Sequence, residues 1–284
     1  MRIDAHQHFW RYDPSRDQWI TDEMAVLKQD FLPQQLIPEL AANKIDGCIA
    51  VQADQSEAET LFLLDLATHN HAIQGVVGWV DLCADNMSER LEFFSKYPKL
   101  CGFRHIVQAE PDDQFMLRPR FLRGIEALKE FGFTYDILIY PHQLPAAIEL
   151  VSRYPEQLFV LDHIAKPCIK EKKLSPWERH LRALAQNANV YCKVSGMVTE
   201  ADWKQWRSDD FKPYLDIVFE AFGVDRLMFG SDWPVCLLAA TYGEVVSLIA
   251  DYIGKLPQPD IEKVFGLNSS RFYGQRAARH AITT

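Results

Sequence analysis

The chain has 284 residues, 48% hydrophobic and 24% charged, enough to bury a large core while keeping a charged surface. Its formal net charge of -9 argues against nucleic acid or an anionic membrane surface as the main partner, because phosphate binding needs a basic face. No window of about 20 apolar residues predicts a membrane span, and Met1–His6 opens no leader-like apolar stretch, so the cytoplasm is the expected compartment.

Short apolar runs alternate with amphipathic stretches from end to end. The runs are Arg2–Phe9, Gly47–Ala53, Gly75–Leu82, Cys101–Val107, Thr134–Tyr140, Leu158–His163, Val190–Val194 and Arg226–Gly230. Most are continuously apolar, which suits strands buried on both faces of a parallel sheet. Helical patterns separate them at Pro33–Ala42, Ser56–Thr68, Glu89–Tyr97, Arg118–Phe131, Leu144–Tyr154, Pro176–Gln186, Phe211–Phe222 and Tyr242–Ile253. Two further helices are predicted at Pro259–Phe265 and Ser269–Ala278. Ser56 followed by Glu59 is a capping-box signal.

Eight β/α units at a spacing of roughly 30 residues predict a single-domain (β/α)8 barrel over residues 1–284, with extra C-terminal helices. No G-x-G-x-x-G follows the first strand, which removes the best sign of a dinucleotide-binding sheet. Cys48, Cys83, Cys101, Cys168, Cys192 and Cys236 form no C-x-x-C pair and read as buried thiols. Trp10–Leu32 is a long irregular segment after the first strand, where barrels build part of an active site.

Chemistry in this fold sits at the strand C-termini. His6 and His8 share a parity there, so both imidazoles enter one cavity and suit a divalent metal or a polarised carbonyl. His163 ends the sixth strand and Asp232 follows the eighth, where a carboxylate ligates a metal or takes a proton from water. Arg104 offers paired donors to a substrate oxygen. Gln52, Tyr140, His142 and Lys193 are further rim candidates, and Trp233, with Trp10 and Trp79, is a candidate wall for a sugar ring. Asp162 is predicted to face away from His163 by strand alternation.

Asp4–Trp10, Leu161–Pro167 and Phe229–Pro234 together resemble the amidohydrolase superfamily. More narrowly, they look like its sugar-lactone hydrolases, the L-fuconolactonases, L-rhamnonolactonases and related aromatic-pathway lactonases. The resemblance implies that His6 and His8 match the strand-1 pair, His163 the strand-6 histidine and Asp232 the strand-8 aspartate. Arg104 and His105 stand where two-metal members carry a modified lysine. The expectation is therefore at most one ion at His6, His8, His163 and Asp232, Zn²⁺ or Mn²⁺, or a metal-independent site. The expected partner is a small lactone, bound by a monomer or homodimer. Two rivals are a related barrel decarboxylase, acting on an aromatic or enoic acid, and a non-catalytic sugar- or protein-binding barrel.

Overall fold

The computed structural model describes residues 1–274. Eight parallel strands follow one another around a single sheet in chain order. They are β1 (Ile3–Gln7), β2 (Gly47–Val51), β3 (Ile73–Gly78), β4 (Leu100–His105), β5 (Thr134–Ile137), β6 (Phe159–Leu161), β7 (Val190–Val194) and β8 (Leu227–Phe229). The ring closes through two main-chain bonds: Asp232 N–H donates to His6 O at 2.8 Å and His8 N–H to Trp233 O at 2.7 Å. The bonds that close the barrel thus involve the histidine pair itself.

A helix follows each strand: α1 (Pro33–Ala42), α2 (Glu57–His69), α3 (Met87–Ser95), α4 (Pro119–Glu130), α5 (Leu144–Arg153), α6 (Trp177–Ala185), α7 (Ser208–Phe222) and α8 (Tyr242–Ile253). This is the (β/α)8 barrel predicted from the alternating pattern. Ser56 caps α2, its Oγ accepting from Glu59 N–H at 3.2 Å, but the reciprocal half of the box is missing because the Glu59 carboxylate accepts from Ala53 and Asp54 N–H instead. Helix–sheet packing forms the larger core, with Phe103, Phe121, Tyr135 and Phe159 fully buried. A second, smaller core fills the barrel, where Ile49, Val51, Val77, Val160 and Met228 meet Phe272 and Tyr273. The aromatic pair comes from the C-terminal helical stretch 268–274 and stoppers the barrel floor.

Several boundaries differ from the sequence reading. β5 stops at Ile137 and β6 at Leu161, so both are shorter than their apolar runs. α7 begins at Ser208, three residues earlier than the periodicity indicates. α9 spans Gln258–Glu262 and passes into a π-helical turn at Lys263–Leu267. The predicted Ser269–Ala278 helix runs beyond the described residues. All six cysteines are free; four are buried as expected, while Cys83 is half-buried and Cys168 exposed. Among the described residues no helix is long and apolar enough to cross a membrane.

Candidate active site

β1 carries one extra residue between Asp4 and Gln7 relative to β2, a bulge that bends the strand where it enters the site. The pairing jumps from Asp4↔Cys48 to Gln7↔Ala50. His6 and His8 stand side by side, with ring centroids 4.9 Å apart and Nε2 atoms 3.2 Å apart. Asp4 fixes this end of β1 from outside. Its Oδ1 accepts from His6 N–H at 3.1 Å and Ser231 N–H at 2.9 Å, and its Oδ2 accepts from Tyr242 O–H at 3.0 Å. Burial pushes the Asp4 carboxyl up to about 6 despite those donors.

β6 delivers its residues by an unusual route. His163, Ile164, Ala165 and Lys166 have φ of 52°, 49°, 60° and 48°. Left-handed backbone costs about 1–2 kcal/mol per residue without glycine, and a β-branched residue there is an outlier. The turn is held by its surroundings: Ile164 and Ala165 are buried, and Trp177 Nε1–H donates to Ile164 O at 2.7 Å. Such strain is found where structure serves a site. Its effect is to bring Asp162 and His163 both against His6, at 3.3 Å from Asp162 Oδ1 to His6 Nδ1 and 4.3 Å between the ring centroids. The alternation rule that turned Asp162 away fails because the strand has already ended at Leu161.

Asp232 gathers the imidazoles. Its Oδ1 lies 3.3 Å from His8 Nε2, 3.8 Å from His6 Nε2 and 3.8 Å from His163 Nε2. The other ring nitrogens are engaged: His8 Nδ1 with Val51 O at 2.8 Å, and His163 Nδ1 with Ser195 Oγ at 2.9 Å. The carbonyl can only accept, so His8 Nδ1 carries a proton and donates it to Val51 O. Burial lowers His163 to about 4 and drives His6 well below the ordinary histidine value, so both rings are neutral near pH 7. Burial opposes ionisation of Asp232, but His163, His8 and His6 outweigh it and hold the carboxyl below the usual range.

These distances suit a metal. Four ligands at about 2.0–2.1 Å from a tetrahedral Zn²⁺ stand roughly 3.3–3.4 Å apart. The His6 and His8 Nε2 atoms and Asp232 Oδ1 are separated from one another by 3.2–3.8 Å, and His163 Nε2 lies 3.8 Å from that oxygen. Two overlapping groups, His6–His8–Asp232 and His6–Asp162–His163, have ligand atoms within 4.8 Å of one another. Both use His6, which suits one ion rather than two. Arg104 Nη1 lies 3.2 Å from His6 Nε2 and adds positive charge on that flank.

The remaining candidates divide. Arg104 is buried beside His6 and donates to Asp162 Oδ2 at 2.9 Å. Gln52 serves it: both the Gln52 backbone carbonyl and Oε1 accept from Arg104 Nη2. Lys193 sits beneath His6, fully buried, at 2.5 Å from Asp136 Oδ2 and 3.0 Å from Asp162 Oδ1. It is enclosed by these groups and does not reach the rim. Tyr140 and His142 lie on the turn after β5, stacked with centroids 6.0 Å apart, and His142 pairs with Asp113 at 3.2 Å. Trp233 is 3% exposed and packs edge-on against Phe9 and Phe31, as a core residue does. Trp10 lines a 330 Å³ cavity between the loops after β1 and β2, together with Arg11, Arg16, Asp54, Glu59 and Phe62. Sequence reasoning passed over Asp136 and Tyr273. An acidic residue inside the apolar run of β5 was the available signal.

Comparison with known proteins agrees with this geometry. Residues 3–275 match the amidohydrolase family model. An L-fucono-1,5-lactonase from Burkholderia multivorans is 42% identical, covering 96% of each chain. An L-fucono-1,5-lactonase from Burkholderia ambifaria is 34% identical, covering 96% of this chain and 95% of the relative. A crystal structure of a Burkholderia multivorans amidohydrolase with bound zinc superposes with a TM-score of 0.93 at 42% identity, over 96% of this chain and 99% of that one. By sequence and by structure alike, the chain belongs to the amidohydrolase family.

Proposed function

We propose that this amidohydrolase opens a small sugar-derived lactone, of the L-fucono-1,5-lactone class, to its acid. The observation that carries the reading is the convergence of the His6, His8 and His163 Nε2 atoms on the Asp232 carboxylate, within 3.8 Å. A carboxylate so placed accepts a proton from an attacking water, and the Arg104 guanidinium beside the imidazoles is the donor for the oxygen on which negative charge develops. Two relatives acting on one lactone, at 42% and 34% identity, support the substrate class.

His6, His8, His163 and Asp232 would hold one divalent ion, Zn²⁺ or Mn²⁺. When bound it supplies Lewis-acid polarisation of the ring carbonyl. Asp232 takes the proton of the water that attacks that carbonyl, then returns it to the ring oxygen as the C–O bond breaks. Ser195 and Val51 O keep the His163 and His8 rings turned toward Asp232. Gln52 and Asp162 keep Arg104 from swinging away.

A pH-indicator screen of 1,5- and 1,4-aldonolactones, with and without chelator, tests this. Acid release from a 1,5-lactone that chelator abolishes and zinc or manganese restores supports the reading. Release of CO₂ from a hydroxybenzoate, with no lactone opened, would assign the site to decarboxylation instead.

A further inference from the structure

Trp10 and Phe62 line a 330 Å³ cavity between the loop after β1 and the first turns of α2. Its size is that of a small-molecule site, and none of His6, His8, His163, Arg104 or Asp232 lines it. Both walls are held by bonds of their own. On one side Arg16 Nε and Nη2 donate to the two Asp17 carboxylate oxygens, each at 2.8 Å, and Nη2 also donates to Arg11 O at 2.6 Å. On the other, Ser56 Oγ caps α2, and the Glu59 carboxyl accepts from Ala53 and Asp54 N–H at 3.1 and 2.5 Å. Trp10 is fixed from behind: its Nε1–H donates to Gln29 O at 3.0 Å and its ring packs against Phe31 at 5.3 Å.

The groups left over define the ligand. Arg16 is engaged by Asp17, but among the described residues the Asp54 carboxylate and the Arg11 guanidinium make no ion pair and no side-chain hydrogen bond. They stand in one cavity beside two aromatic side chains. An anion drawn to Arg11 meets the Asp54 charge, and a cation drawn to Asp54 meets Arg11 and Arg16. A hydroxyl both donates and accepts, so a neutral polyol pairs with either group without repulsion. Its C–H face suits the apolar surface that Trp10 and Phe62 supply.

We propose that this cavity is a second carbohydrate site, taking one neutral pyranose-type sugar, separate from the Asp232 centre. Trp10 and Phe62 take the ring face, and Asp54 and Arg11 take hydroxyls. A sugar held there joins the segments that leave β1 just after His8 and β2 just after Gln52. The site stands on its own geometry, whether or not the Asp232 centre opens a lactone.

The test follows the indole ¹⁵N–¹H signals of the whole protein as L-fucose is added, with the Trp10 signal assigned by its loss in Trp10→Phe. The Trp10 signal is expected to move and saturate. In Asp54→Ala and Phe62→Ala about tenfold more sugar should be needed for half-saturation, the worth of one hydrogen bond to a charged group. Asp232→Asn should leave the Trp10 titration at wild-type values. If Phe62→Ala does not fold, Arg11→Ala takes its place. A Trp10 signal that does not move, or that titrates alike in wild type and the cavity variants, overturns the proposal. So does loss of the titration in Asp232→Asn, which places the sugar at the catalytic centre. Saturation by L-fuconate or by alanine at lower concentration than by L-fucose overturns the neutral-sugar assignment, in favour of an anion or a zwitterion.

Discussion

Gly196 leaves no room for a side chain beside His163: a Cβ there would stand 2.4 Å from the His163 Nδ1. Its φ of 61° also lies in the left-handed region, which glycine enters without penalty. Gly196→Ala therefore meets both strain and a clash, and the flexible partner is the imidazole. The ring is expected to rotate off Asp232. Turnover should fall at least tenfold, with a stability loss of about 1–2 kcal/mol, read by steady-state kinetics and urea unfolding. A variant with wild-type kcat would show that the His163 orientation does not matter.

Asp4 joins β1, β8 and α8 through three accepted bonds. Asp4→Ala leaves His6 N–H, Ser231 N–H and the Tyr242 hydroxyl without their acceptor, and a buried unsatisfied group costs about 1–3 kcal/mol. A stability loss of roughly 3 kcal/mol or more is expected from urea unfolding. Tyr242→Phe, which removes one of the three, should cost about 1 kcal/mol. Equal losses in the two variants would contradict this role for Asp4.

Glu59 gives the pH dependence a definite sign. Burial raises its carboxyl to about 8, although Ala53 and Asp54 N–H donate to it. The unfolded chain releases that proton near 4.5. Between these values the folded state binds more protons, so stability falls as pH rises through the window. Each pH step of one across that window removes about 1.4 kcal/mol at most. Glu59→Gln carries no such proton, so its urea midpoint should fall less, or rise more, than that of wild type between pH 5 and 8. Parallel wild-type and Glu59→Gln profiles across that range would contradict the assignment.

Much of this was legible in the chain because the barrel repeats one pattern. Apolar runs such as Gly47–Ala53 and Val190–Val194 mark strands covered on both faces, and His6, His8, His163 and Asp232 stand at strand ends. What escaped was set by backbone turns that leave no local mark. Asp-His-Ile-Ala-Lys contains no glycine, yet four of its residues are left-handed, so strand alternation misplaced Asp162. Tyr140 closes an apolar run whose strand ends at Ile137, so it and His142 stand on the turn that follows. Trp233 resembles a pocket wall in sequence and is core in the fold, because Phe9 and Phe31 enclose it. The Tyr273–Asp136 bond joins positions 137 residues apart, beyond any local pattern.

Asp232 is proposed to move the proton at a centre made by His6, His8 and His163. The most direct test is kcat of Asp232→Asn on the best lactone from the screen, with folding checked by circular dichroism. General-base catalysis contributes about 10²–10⁴-fold, and a loss of that size in a folded protein is the expected result. Turnover within about threefold of wild type, far short of that loss, would contradict the role of Asp232.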